Sequence, residues 1–245
     1  MKFFDFDKEL MKFYFGIWNY RLLKERIEVK IVLDNIKPGD VVVDIGAYKG
    51  TYAYWMSQAV GKAGKVYAFE PQKYAEDHLR RIIDKMEIKN IVLESMGISS
   101  EQGEMSLALP EGREYSALAT FETKSDKAYK TYTVPVETLD NYFQKLNISK
   151  ISFIKCDVEG HELEVFRGGI ETLKKHKPVL FFECEQRYLR NNKMNDVFDF
   201  LQQIGYKGQF INDDGLHPLA EFQIERHQVE NKKPYVNNFL FSVTT

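Results

Sequence analysis

One run constrains this chain more than any other: Val41-Val42-Val43-Asp44-Ile45-Gly46-Ala47-Tyr48-Lys49-Gly50-Thr51. Its β-branched residues make a strand apolar on both faces, as a central strand of a parallel sheet requires. Asp44 ends the apolar run, the glycines turn the chain tightly, and a helix begins near Thr51. Gly46 carries no Cβ to hold the main chain away from a ligand, and Gly50 allows close helix-to-strand contact. The helix N-terminus adds backbone donors.

A second strand, Lys65-Val66-Tyr67-Ala68-Phe69, ends in Glu70-Pro71, twenty residues past Gly50. A carboxylate there can accept both hydroxyls of an adenosine ribose. A strand-end acid facing water is the plainer alternative, but the paired spacing favours a ligand. A dinucleotide fingerprint would need glycine where Tyr48 stands, and that ring would obstruct approach to a pyrophosphate. Asp44 would repel phosphates and attract the ammonium of a methionine moiety. Gly61-Lys62-Ala63-Gly64-Lys65 lacks the P-loop spacing and its Ser or Thr. The pattern therefore points to an adenosine cofactor without phosphates.

The rest of the chain alternates strand and helix, which predicts a mostly parallel sheet covered on both faces. Strands are expected at Val41–Ile45, Lys65–Phe69, 91–93, 151–156 and 178–182. Helical spacing joins Ala75, Leu79, Ile82, Ile83 and Met86, then Leu139, Tyr142, Phe143 and Leu146. It returns in Leu163, Phe166, Ile170 and Leu173, and in Val197, Phe198, Leu201 and Ile204. Segments 207–212 and Asn238–Val243 lack a visible crossover helix between them, so the last strand should run antiparallel. Residues 99–135 break the alternation, with short strands at 105–109 and 132–136 around a loop expected to act as a substrate-side flap.

Bulk properties exclude several classes. A net charge of −2 gives no reason to expect nucleic acid. No apolar run is long enough to span a bilayer, and acids interrupt the aromatics of the N-terminus, which lacks a secretory signal. Cys156 and Cys184 fall in predicted core strands and read as buried thiols in a reducing cytoplasm. Asn147-Ile148-Ser149 matches a glycosylation triplet of a kind frequent by chance.

A third cluster follows: Ile154-Lys155-Cys156-Asp157-Val158-Glu159-Gly160-His161-Glu162. It places ionisable groups at a strand's carboxyl end, the edge where open α/β sheets bind ligands. Asp157, Glu159 and His161 are the candidate general bases. Glu162 and Glu164 suit a helix first turn.

These pieces together resemble the FkbM family of methyltransferases. The matching residues are Asp44-Ile45-Gly46-Ala47 with Gly50, Phe69-Glu70-Pro71, Val136-Glu137-Thr138-Leu139-Asp140, and the Ile154–Glu162 run with Phe166, Gly168 and Pro178. The resemblance implies a Rossmann-like class I methyltransferase fold: a mostly parallel seven-stranded sheet with an antiparallel last strand and helices on both faces. It implies S-adenosyl-L-methionine as cofactor and transfer of methyl to a hydroxyl oxygen. Asp44, Gly46 and Gly50 would line its methionine end, Glu70 the ribose, and Ser95 and Met96 would flank the adenine, with Ala47, Tyr48, Thr51 and Pro71 also binding the cofactor. Asp157 and Glu159 would stand near the reacting centre, Asp157 beside the cofactor as well. Tyr48 departs from the small polar residue, often Asn, that the family carries there, and Met96-Gly97 only approximates its Ala-Leu-Gly.

The expected activity is O-methylation of a hydroxyl on a sugar, glycan or glycosylated metabolite, with Tyr115, Phe121 and Tyr129 of the flap suited to a sugar face or to anchoring the flap. Two other readings stand beside it. One is a cofactor-binding partner without catalysis in a biosynthetic assembly. The other is a metal-dependent O-methyltransferase using Asp157 with Glu183 or His161. A methyltransferase domain is expected over residues 37–245, with 99–135 as a hairpin and flap insertion. Residues 1–36 form an aromatic-rich helical segment containing Phe3, Phe4, Phe6, Phe13, Tyr14, Phe15, Trp18 and Tyr20. Packing on its own domain or on a second copy is its expected use, and Asp5, Asp7 and Glu9 argue against an anionic membrane.

Overall fold

The computed structural model describes residues 7–122, 129–146, 148–189 and 192–243 of the 245. Strand β1 (Val41–Ile45) lies between β2 (Lys65–Phe69) and β7 (Phe153–Cys156), parallel to both. With β3 (Ile91–Glu94), β8 (Val179–Glu183), β9 (Tyr206–Asn212), β10 (Gly215–Pro218) and β11 (Asn238–Val243), they form one sheet. Its order is β3-β2-β1-β7-β8-β11-β9-β10. Strands β1, β2, β3, β7 and β8 are parallel, and β11 runs antiparallel to both β8 and β9. The order reverses between β1 and β7, which opens a crevice at their carboxyl ends.

Adjacent residues of each central strand enter opposite cores, as the two-residue period demands. Val42, Phe153, Phe181 and Leu240 face α2 (Arg26–Asp34), α3 (Thr51–Val60) and α4 (Lys73–Lys85). Val43, Ile154, Phe182 and Phe241 face α5 (Leu139–Gln144), α6 (Glu162–Arg167), α7 (Ile170–His176) and α8 (Met194–Gln203). Cys156 and Cys184 are buried free thiols in the second of these cores.

Three sequence expectations need correction. The main sheet has eight strands, not seven, because Asp213-Asp214 turns the chain back into β10 against β9. The pattern Leu163–Leu173 forms two helices, not one. A Cβ on Gly168 would stand 2.0 Å from the Ser99 carbonyl oxygen and one on Gly169 2.8 Å from Leu139 Cδ1, so the break packs against two other segments. The stretch before β11 also contains a short helix, α9 (Ile224–His227).

The insertion folds as its own three-stranded sheet from β4 (Gly97–Ile98), β5 (Gly103–Pro110) and β6 (Tyr129–Glu137), longer strands than the sequence suggested. Residues 111–122 return along it, bridging Ala108 through Thr120; flap residues 123–128 lie outside the described residues. At the other end, α1 (Lys8–Asn19), a π turn over Tyr20–Lys24 and α2 pack on the domain. Phe13 and Ile17 are buried with Trp55 and Ile82. Phe3, Phe4, Asp5, Phe6 and Asn147 lie outside the described residues. No helix among those described is long and apolar enough to cross a membrane.

Candidate cofactor and acceptor site

Parallel pairing puts Asp44 of β1 opposite Lys155 of β7, on the same face of the sheet. Both side chains are buried, with Lys155 Nζ 3.5 Å from Asp44 Oδ1 and 3.3 Å from Asp157 Oδ2. The ammonium also donates to the Gly46 carbonyl oxygen at 3.1 Å. Burial pushes the Asp44 carboxyl up, and Lys155 opposes this. Burial would lower the Lys155 pKa, but Asp157 and Asp44 hold it well above the usual lysine range. This lysine therefore ties the turn after β1 to the end of β7.

Gly46 needs its missing Cβ for a reason the sequence did not show. With φ at +77°, that atom would lie 1.9 Å from the Asp157 carbonyl oxygen. Gly50 meets α4 and not a strand: its Cβ would fall 2.3 Å from Leu79 Cδ1. Tyr48 adopts φ +47°, a left-handed conformation that favours Gly, Asn or Asp.

Above the turn lies a cavity of about 210 Å³. Gly46, Ala47, Tyr48, Thr51, Glu70, Pro71, Asp157 and Glu159 line it, as do Lys49, Tyr52, Lys155, Glu183 and Asn238. Glu70 accepts hydrogen bonds from the backbone N–H groups of Tyr48 at 2.7 Å and Gln72 at 2.8 Å, one on each oxygen. Burial raises its pKa to about 7, against those two donors. Each oxygen retains capacity for a second donor, so this pair of acceptors suits the two hydroxyls of a ribose.

The opposite wall is acidic. One oxygen each from Asp157, Glu159 and Glu183 lies within 4.8 Å of the others, an oxygen set that could also hold a hard cation. Glu159 sits at φ +55°, and its Oε2 is buried without a hydrogen-bond partner. Burial, with Asp157, raises its pKa to about 9. Burial raises that of Glu183 as well. Glu162 opens α6, accepts from the Gly160 N–H at 3.0 Å and is raised by burial to about 7.

The flap closes over this site. Ser116 N–H donates to Gln72 Oε1 at 2.8 Å, and Thr120 Oγ1 donates to the Glu159 carbonyl oxygen at 2.7 Å. Leu107, Ala117, Ala119, Thr120 and Phe121 face the cavity, and Tyr20 and Glu25 of the N-terminal segment complete it. Tyr115 stacks on Tyr74, with ring centroids 4.7 Å apart, and stands 6.0 Å from Tyr48.

Five of the expected site residues lie off the cavity wall, Gly50 among them. Asp44 is beneath it, facing Lys155. Ser95 is exposed after β3 and Met96 packs against the core around α5, so neither lines the cavity. His161 has both ring nitrogens engaged, by Ser99 Oγ at 2.9 Å and Glu122 Oε1 at 3.0 Å. Tyr129 of β6 is absent from the wall too. Sequence reasoning gave Lys155 no role, although a lysine inside Phe153–Cys156 must find charge partners. Tyr20 and Glu25 offered no comparable signal.

An open sheet with this strand order, a reversed strand near one end and a cavity at the β1–β7 switch is the architecture of class I methyltransferases, which use S-adenosylmethionine. The chain belongs to the FkbM methyltransferase family, whose domain model matches residues 44–207. It is 30% identical over 159 residues to the hexuronic acid methyltransferase AglP of Haloferax volcanii, a match spanning 64% of this chain and 62% of that protein. The methyltransferase FkbM structure from Methylobacillus flagellatus KT superposes with a TM-score of 0.53 at 15% identity, covering 96% of this chain and 55% of the other. A Streptococcus mutans protein described as a methyltransferase, solved in complex with SAH, superposes with a TM-score of 0.51 at 12% identity. That alignment covers 89% of this chain and 97% of the other.

Proposed function

We propose that this protein transfers a methyl group from S-adenosylmethionine to a hydroxyl of a sugar, with a hexuronic acid or a glycan containing one as the first acceptor to try. The observation that carries this reading is Glu159: an unpartnered buried carboxylate oxygen in the same cavity as Glu70 and the glycine turn. Bound there, the cofactor would supply an electrophilic methyl carbon on a sulfonium. Glu70 would accept from the ribose hydroxyls, and the backbone of Gly46–Tyr48 would hold the methionine end. Glu159, once ionised, is a base strong enough to take the acceptor's hydroxyl proton as the carbon–oxygen bond forms. Alignment of the two reactants would supply much of the acceleration.

Two features support an acidic acceptor. The relative AglP is a hexuronic acid methyltransferase. Lys49 lines the cavity, its Nζ 5.3 Å from the Tyr48 ring centre and 4.7 Å from that of Tyr115, and no carboxylate among the described residues pairs with it. Labelled cofactor with uronic and neutral sugar acceptors tests the reading. Label should enter the uronic acid, and Glu159→Gln should slow transfer about 100-fold while calorimetry still shows cofactor binding. Cofactor binding without transfer to any sugar would leave the non-catalytic reading standing.

A second reading is favoured by the convergence of Asp157, Glu159 and Glu183: the same transfer assisted by a divalent cation that orients the acceptor hydroxyl. Full activity after exhaustive chelation removes it.

A further inference from the structure

The N-terminal helix presents an apolar face that the described residues leave largely uncovered, with only Trp18 of that face touching Trp55 and Arg21. Phe13 and Ile17 point into the domain, while Met11, Phe15, Trp18 and Leu22 recur at helical spacing on the outward side. Phe15 is 75% exposed and Leu23 76%, far beyond what isolated surface residues require. The stripe runs through the π turn to Leu22 and Leu23, and Leu23 borders a groove shared with Leu216.

The charges around this stripe are sorted. Asp7 and Glu9 turn onto α4, where Lys85 lies 2.8 Å from Asp7 and 2.6 Å from Glu9, and Arg81 lies 3.2 Å from Glu9. Glu25 points the other way, accepting from Tyr52 Oη at 2.7 Å beside the cavity, and Asp34 is paired with Lys30. Lys8, Lys12, Lys24 and Arg26 are exposed, and among the described residues no carboxylate forms an ion pair with any of them. Of the described acids of the segment, Asp7, Glu9 and Glu25 turn onto the domain, Asp34 pairs with Lys30 and Glu28 is half-buried in the groove beyond Leu23. Lys8, Lys12, Lys24 and Arg26 remain beside the apolar face.

We propose that the α1–π turn face docks on an anionic lipid surface, with Phe15, Trp18, Leu22 and Leu23 entering the headgroup boundary and Lys8, Lys12 and Lys24 meeting lipid phosphates. The composition is that of an interfacial amphipathic helix, aromatic and leucine on one side with lysines flanking it. A second copy fits less well, because two-fold packing of this face on itself would set cations against cations. Docking also has a consequence for the site. The π turn that sends Leu22 and Leu23 outward contributes Tyr20 to the cavity wall, and Glu25 follows directly after it. The lipid surface would therefore lie against the segment that closes the active cavity.

The test is flotation of the full chain with phosphatidylcholine vesicles containing or lacking 30% phosphatidylglycerol. Binding should require the anionic lipid and weaken in 0.5 M salt. Lys8→Gln with Lys12→Gln should lower affinity about fivefold per charge, and Phe15→Asp with Leu23→Asp should abolish flotation. Circular dichroism and melting of these exposed-site variants establish that they remain folded. As a readout without substitution, brominated lipids should quench Trp18, whose contribution Trp18→Phe isolates from that of buried Trp55. Equal binding to neutral vesicles, no binding at low salt, or a dimer by sedimentation that Phe15→Asp dissociates would each overturn the proposal. Cofactor affinity and methyl transfer are measured without vesicles, so failure here is separable from failure of the proposed transfer.

Discussion

Lys155 Nζ stands 3.5 Å from Asp44 Oδ1 inside a sheet whose other central residues are apolar, and it does not leave the cavity to find its charge partners. Asp44 therefore stands beneath the cavity wall, paired with the lysine that also holds the Gly46 carbonyl oxygen. Removing one member of a buried pair strands the other, at a cost of about 3–5 kcal/mol. Lys155→Met should destabilise the protein by that amount in chemical denaturation, and Lys155→Met with Asp44→Asn should recover part of it. Additive losses in the double variant would show that the pair is not coupled.

Glu70 gives a pH dependence to cofactor binding. Its folded pKa, about 7, means that half the molecules carry a neutral carboxyl near neutrality. A ribose hydroxyl donates best to the ionised form, so affinity should rise from pH 6 to pH 8 and level off above. Calorimetric titration across that range checks it. Glu70→Gln should bind about tenfold or more weakly and lose the pH dependence, because an amide cannot accept from Tyr48 and Gln72 on both atoms.

The same burial sets the stability profile. The pKa values of Glu70 and Glu162, about 7, and of Glu159, about 9, all lie above the ordinary glutamate value of 4.5. A group raised in the folded state contributes stability that is complete below its unfolded pKa and lost as pH rises through its folded pKa. The unfolding free energy of the ligand-free protein should fall between pH 6 and pH 9 by about 1.4 kcal/mol per pH unit for each proton released on unfolding, and the melting temperature should fall with it. Asp7 and Glu9, lowered chiefly by hydrogen bonds from Lys85, work in the opposite sense and act only in acid. Glu159→Gln should flatten the upper part of the curve. A melting temperature constant from pH 6 to pH 9 would remove this account.

Much of the fold was legible because the central strands are local signals: Val41–Ile45 and Phe153–Cys156 are buried on both faces and read as such in one dimension. The reversed last strand followed from the missing crossover helix. What failed were features decided by contacts distant in sequence. The break between α6 and α7 depends on the Ser99 carbonyl and Leu139, and the extra strand β10 depends on an exposed edge that hydrophobic pattern does not mark. In the site, motif residues such as Glu70 and Asp157 reach the cavity because backbone position alone puts them there. Asp44 and His161 sit in equally suggestive runs, yet Lys155 takes one, while Ser99 and Glu122 take the other.

His161 discriminates between a base and a positioning residue. Its ring is buried, and its nitrogens join Ser99 of the inserted sheet's edge to Glu122 at the end of the described flap segment. Phe121 packs on the same ring, with centroids 5.1 Å apart, and also lines the cavity. Loss of the imidazole should therefore loosen the flap and leave the proton-accepting group in place. His161→Asn is expected to raise the acceptor KM about tenfold with kcat changed less than about threefold, and to speed amide exchange in residues 111–122. Cofactor affinity should weaken as well, since Ser116 and Thr120 hold the same flap over Gln72 and Glu159. A kcat lowered about 100-fold at unchanged KM and unchanged exchange would instead make His161 the group that takes the proton.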